Sequence, residues 1–130
     1  MRINADLSVP VSFDLEVKPE SIGSARDLVR RVLMDHPQVE DAALAISELV
    51  TNVVRHAADS PLVTLVIEST PSESIRISVR QTAGSIDQLV PGSGEGGHGL
   101  RIVEAVTDRW GVEQQDSWVG VWFEIASGPP

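Results

Sequence analysis

The 130-residue chain contains no cysteine. That excludes a disulfide framework and any thiolate-ligated metal site, so nothing in it requires an oxidising compartment. Long apolar runs are also missing. The start carries no hydrophobic stretch of signal length, and nowhere do the roughly 20 apolar residues of a membrane span follow one another. A cytoplasmic location without a membrane partner is the expectation. Basic residues are few, with ten Lys and Arg against nineteen Asp and Glu and a formal charge of −9. Such a surface repels nucleic acid and anionic membranes and suits a basic protein partner. No repeat, linker or second unit breaks residues 1–130. With 42% hydrophobic residues the sequence is expected to form a single domain around one core.

What is present is organised around residues 39–57. Val39, Ala42, Ala43, Ile46, Leu49, Val50, Val53 and Ala57 recur at three- and four-residue spacing, the core-facing stripe of an amphipathic helix. Glu48 and Asn52, one turn apart, stack on another flank with Arg55 and His56 nearby. On spacing alone such a pair reads as a solvated polar face.

Before this helix, residues 9–17 alternate Val11, Phe13, Leu15 and Val17 with polar neighbours, a strand buried on one face, and Pro10 marks it as an edge strand. Ser21 is placed to cap a helix carrying Ile22, Ala25, Leu28, Val29, Val32 and Leu33, which ends before Pro37. After it, residues 62–68 and 74–80 read as two antiparallel strands across a turn at Pro71. Residues 81–99 hold Gly84, Gly92, Gly94, Gly96, Gly97 and Gly99 and little apolar periodicity, a long loop of the kind that is either a functional lid or disordered. A short helix is expected from about Leu100, then a closing hairpin over 110–113 and 118–125, then a frayed tail at 127–130. Gly97-His98-Gly99-Leu100 opens that short helix, where unpaired N–H groups and the dipole attract a phosphate and glycine lets it approach.

The wording Ala-Ile-Ser-Glu-Leu-Val-Thr-Asn-Val-Val-Arg-His-Ala at 45–57 resembles the N box of the GHKL (histidine-kinase-like) ATPase superfamily, most of all its bacterial anti-sigma-factor serine/threonine kinases. Gly97-His98-Gly99-Leu100-Arg101-Ile102-Val103 resembles the second glycine box at the expected distance. The resemblance implies a two-layer α/β (α+β) sandwich with a mostly antiparallel sheet of four or five strands and helices on one face. It implies Glu48 as general base, Asn52 as Mg2+ ligand, residues 83–99 as an ATP lid, and Gly97 and Gly99, with His98 and Leu100, at the ATP phosphates. Read by itself, His98 is simply exposed, and neither His36 nor His56 has a spacing that builds a metal site with it. The chemistry suits these roles: an amide oxygen is a hard ligand for an ion already neutralised by phosphates, and a carboxylate one turn away can orient a hydroxyl for in-line attack. The implied function is a regulator that binds a sigma factor and phosphorylates a serine on a small anti-anti-sigma (STAS) protein, as a homodimer, without direct contact to nucleic acid.

The sequence departs from the family's pattern at two places. The aspartate that accepts a hydrogen bond from adenine in the first glycine box is here Gln81, which can still accept and donate but carries no charge; Ala83 stands where glycine is common. Ahead of Val121-Trp122-Phe123, related kinases read Gly-Lys-Thr, and this chain reads Trp118-Val119-Gly120, with Trp118 either in the core, the favoured reading, or at a partner contact. These departures favour a second reading, a non-catalytic degenerate GHKL module that sequesters a protein partner without nucleotide; Glu48, Asn52, Gly97 and Gly99 oppose it. A detached histidine-kinase catalytic domain is a third reading, weakened because the sequence shows no phosphoacceptor helix.

Overall fold

The two periodicities of the sequence become two layers. The computed structural model of the chain describes residues 7–56, 62–82 and 98–126. In order they form β1 (Val11–Glu16), α1 (Glu20–Val32), α2 (Val39–His56), β2 (Leu62–Ser69), β3 (Ser74–Gln81), α3 (His98–Val106), β4 (Arg109–Gln114) and β5 (Val119–Ala126). The strands make one five-stranded sheet in the order β1-β2-β3-β5-β4, antiparallel at every pairing. The expected sandwich is therefore the observed one, with β1 at an edge. No described helix is long and apolar enough to cross a membrane.

One phase of the alternation builds the core. Phe13, Leu65, Val79, Val121 and Val112 lie in one cross-strand row, and Val11, Ile67, Ile77, Phe123 and Trp110 in the next, all facing the helices. Leu33, Ile46, Leu49, Val50, Val103 and Phe123 are essentially fully buried, each stabilising the fold by roughly 1.5–3 kcal/mol relative to exposure. α2 is more enclosed than its stripe predicts. α1 packs on one flank and α3 on the other while β3 and β5 lie beneath, so Ala45 and Ser47 are buried as well. A helix buried on three sides needs small residues there, and the alanines at 42, 43 and 45 supply them.

Local details correct the expectations at two points. Ser21 is not the cap of α1, which begins one residue earlier; it lies buried in the first turn and donates to Glu16 C=O at 2.5 Å, tying the end of β1 to α1. Trp118 does not enter the core. It stands half-buried on the sheet face that no described helix covers, hereafter the uncovered face, with the Arg80 guanidinium 4.4 Å from its ring centroid. Residues 83–97 of the expected lid, and residues 127–130, expected as a frayed tail, lie outside the described residues.

Two further contacts fix the frame. His36, nearly fully buried, accepts from Gln38 N–H through Nδ1 at 2.9 Å and so donates through Nε2 to Ala126 C=O at 2.6 Å. The neutral ring thus clamps the α1–α2 connection onto the end of β5. At the β2–β3 turn, Glu73 takes φ 62° and Thr70 N–H donates to Ser74 C=O at 2.9 Å.

The uncovered face of the sheet carries a charged and aromatic layer. Glu124, 2% exposed, accepts from Arg76 Nη2 at 2.7 Å and from Arg109 Nη2 at 2.6 Å. Burial pushes the Glu124 carboxyl up, but the hydrogen bonds from Arg109 and Arg76, together with their charge, outweigh it and hold the group below its ordinary value. The Trp122 ring lies 4.0 Å from the Arg76 guanidinium and reaches across Gly111, where a Cβ would come within 2.7 Å of the indole. Glycine at 111 is therefore required by close approach rather than by backbone conformation.

Candidate functional site

The site that the sequence points to lies on the helix-covered side of the sheet. Helical geometry sets Glu48 and Asn52 one turn apart, roughly 6 Å along α2. The two side chains meet different surroundings. Glu48 is half-buried, able to reach solvent or a bound group, whereas Asn52 is 6% exposed and belongs to the buried set of α2. Neighbouring hydroxyls are bound to the helix itself: Ser47 Oγ donates to Leu44 C=O at 2.7 Å and Thr51 Oγ1 to Ser47 C=O at 2.6 Å. Neither competes for a ligand. Arg55 and His56, on the last turn, are exposed.

Gln81 ends β3 in phase with Ile77 and Val79, so its side chain lies on the covered face, 2% exposed. Asn52 and Gln81 each have a partner within the chain. The register sets Val119 directly opposite Gln81, buried and part of the core. Gly120 is on the other phase, where a Cβ would meet Arg80 Cγ and Val79 O at 3.0 Å. Of the departures at 118–120, only Val119 therefore stands beside Gln81. Trp118 and Gly120 belong to the opposite face, where they accommodate Arg80.

α3 begins at His98, two residues before the sequence places it. Leu100 is buried in the core cluster, so what it offers a ligand is the backbone N–H of the first turn, where helical N–H groups have no intrahelical acceptor. Gly97 lies outside the described residues.

A pocket of about 390 Å3 opens beside Trp118, lined by Asp14, Leu62, Thr64, Arg80, Gln81 and Thr82. Asp14, Thr64 and Arg80 are register neighbours on the sheet face opposite the helices; neither Glu48 nor Asn52 lines this cavity, while Gln81 borders it at the end of β3. Among the described residues no group of three or more His, Cys, Asp or Glu side chains could hold a metal ion. A cation at Asn52 would depend on phosphate oxygens and water for its remaining ligands, as magnesium with a nucleotide does.

The residues that sequence reasoning missed are those of the Arg76–Glu124–Arg109 network and the Arg80–Trp118 stack. Arg76 and Arg80 share the polar phase of β3, and Trp122 and Glu124 the same phase of β5. That signal could be read only by knowing that β3 and β5 are neighbours.

A helix bearing a carboxylate–amide pair, laid over an antiparallel sheet whose third strand ends in a buried amide, is the framework of an α+β sandwich with a polar edge between its layers. The model of the histidine kinase-like ATPase domain matches residues 14–123, and the chain belongs to that family. An uncharacterized protein of Streptomyces coelicolor is 32% identical over 89 residues, covering 65% of this chain and 85% of its own. The structure of the RsbU and RsbW domains of Rv1364c from Mycobacterium tuberculosis is similar with a TM-score of 0.65 at 18% identity; the match covers 90% of this chain and 32% of that one. The SiaB–SiaC complex from Pseudomonas aeruginosa gives 0.66 at 13% identity, with 88% of each chain covered. These two likenesses establish the fold.

Proposed function

We propose that this chain binds ATP with magnesium, phosphorylates a serine on a small STAS-type anti-anti-sigma protein, and sequesters a sigma factor in a partner-switching circuit. The observation that carries the reading is the contrast within one helical turn of α2, where Asn52 is buried while Glu48 is half-buried and open to a substrate. The donor set fits a magnesium nucleotide: a neutral amide suits a cation already balanced by phosphates, and a second amide can meet a base edge with one acceptor and two donors. Asn52 would hold the ion, Gln81 the adenine edge, and the first turn of α3 with Gly97 and Gly99 the phosphates. ATP, when bound, would supply the γ-phosphoryl group. Glu48 would orient the serine hydroxyl and accept its proton as the hydroxyl oxygen bonds to the γ-phosphorus and the bond to the β–γ bridging oxygen breaks, with ADP as the leaving group. A neighbour solved as a complex of two proteins supports a role exercised on protein partners.

A second reading, a binding module that works without nucleotide, is favoured by Val119, whose buried side chain stands beside Gln81 in place of a polar group. The two readings separate in a magnesium titration. Asn52→Ala is expected to weaken ATP binding about tenfold in the presence of magnesium and to abolish its dependence on the ion. Isothermal calorimetry with and without EDTA reads both. Undiminished magnesium dependence in a folded Asn52→Ala protein would remove Asn52 from the site.

A further inference from the structure

The pocket beside Trp118 lies on the uncovered face, and its two ends differ in chemistry. One cross-strand row runs from Asp14 through Thr64 to Arg80 and Gly120. At the β1 end, Thr64 Oγ1 donates to Asp14 Oδ1 at 2.8 Å. The hydroxyl has then used its one hydrogen, so the Thr64 oxygen and the Asp14 carboxylate both offer a ligand acceptors only. Among the described residues no Lys or Arg forms an ion pair with Asp14. Arg80, the other charged lining residue, is already matched. Its guanidinium stacks on Trp118 and has the Glu113 and Glu68 carboxylates at 3.5 and 4.0 Å. The charge in this lining that no ion pair balances is therefore negative, and it sits at the acceptor end.

The walls between the two ends are apolar. Leu62, 46% exposed, opens β2, and the half-buried Trp118 immediately precedes β5. Thr82, just after β3, lies between them in the lining. Two strand spacings, about 9.6 Å, separate the backbones that carry these walls, and one planar ring touching both takes up about 7–8 Å. We infer that this pocket binds a small organic cation, a protonated amine carried on a planar apolar ring. The ammonium group donates to the Asp14 carboxylate and Thr64 Oγ1, and the ring lies between Leu62 and Trp118. The cavity, about 390 Å3, is of the size that small-molecule sites occupy. An anion meets only acceptors at the Asp14 end, and a neutral ring gains the apolar contact alone. Neither Glu48 nor Asn52 takes part, so the site stands whether or not the chain is a kinase.

Tryptamine is a probe of this class, and the three tryptophans of the chain give three indole N–H signals in a spectrum of 15N-labelled protein. The signal missing from Trp118→Phe is that of Trp118. Titration with tryptamine should move this signal with a dissociation constant of about 0.1–3 mM, the range of a small fragment. Indole-3-acetate, the same ring with the opposite charge, should bind at least about tenfold more weakly. Asn at position 14 can still accept from Thr64 but carries no charge, so Asp14→Asn should weaken tryptamine about fivefold and leave the rest of the spectrum in place. Leu62→Ser removes one wall and should weaken it about threefold; Asp14→Asn decides alone should that variant fail to fold. A Trp118 signal that does not move at about 10 mM tryptamine, equal affinity for indole-3-acetate, or undiminished binding by folded Asp14→Asn would each overturn the proposal.

Discussion

Replacing Glu48 by Gln is expected to lower phosphoryl transfer to a STAS-domain substrate by roughly 100- to 10,000-fold, the range over which a positioned general base contributes. ATP affinity should stay within about twofold, because the base acts on the attacking hydroxyl and not on the ground-state nucleotide. The structure makes the substitution a clean one. Glu48 is half-buried on a flank of α2 that the core does not use, and Gln has the same shape and a comparable helix propensity. Single-turnover transfer and calorimetric binding, measured on the same preparation, separate the two effects. A variant that loses binding and transfer together would make Glu48 a structural residue.

The largest stability effect is expected on the uncovered face. Glu124→Ala strips the shared anion from Arg76 and Arg109 and should destabilise the fold by about 3 kcal/mol, the lower end of the range for breaking a buried ion pair. The lower end applies because the Arg76 and Arg109 side chains are 28% and 62% exposed and can regain water. For a chain of this size that corresponds to a fall in Tm of roughly 10 °C. The same group sets an acid limit. Its folded pKa lies below the ordinary 4.5, so its contribution is fully present above that value and is lost as pH falls through the folded pKa. Wild type should therefore lose stability below about pH 4.5 more steeply than Glu124→Ala. Parallel pH profiles of Tm for the two proteins would contradict this.

The elements were legible because each rests on local periodicity. The Ile75, Ile77, Val79 alternation and the Val39 to Val53 stripe each name a buried face without reference to any other segment. What depends on pairing was not legible. Trp118 reads as a core residue by its apolar bulk, yet its place is decided by β5 lying beside β3, which sets it over Arg80. Ser21 has a cap-like sequence position, but the Glu16 carbonyl competes for its hydroxyl and prevails. The burial of Ala45 and Ser47 follows from α1 and α3 flanking α2, an arrangement no single stripe encodes. At the candidate site, wording and spacing single out Glu48 and Asn52, and the structure adds the difference in their burial. The register of Gln81 with Val119 joins residues far apart in sequence and was beyond reach of either signal.

Nucleotide binding is the claim on which the kinase reading rests, and calorimetric titration of wild type and Gln81→Asp with ATP and magnesium tests it most directly. Exchanging the amide for a carboxylate makes the bond to the adenine amino group charge-assisted, a gain of about 1 kcal/mol. The account predicts single-site binding of micromolar or weaker affinity for wild type, tightened several-fold in Gln81→Asp. Absence of heat from both folded proteins would contradict it and leave a partner-binding module without nucleotide.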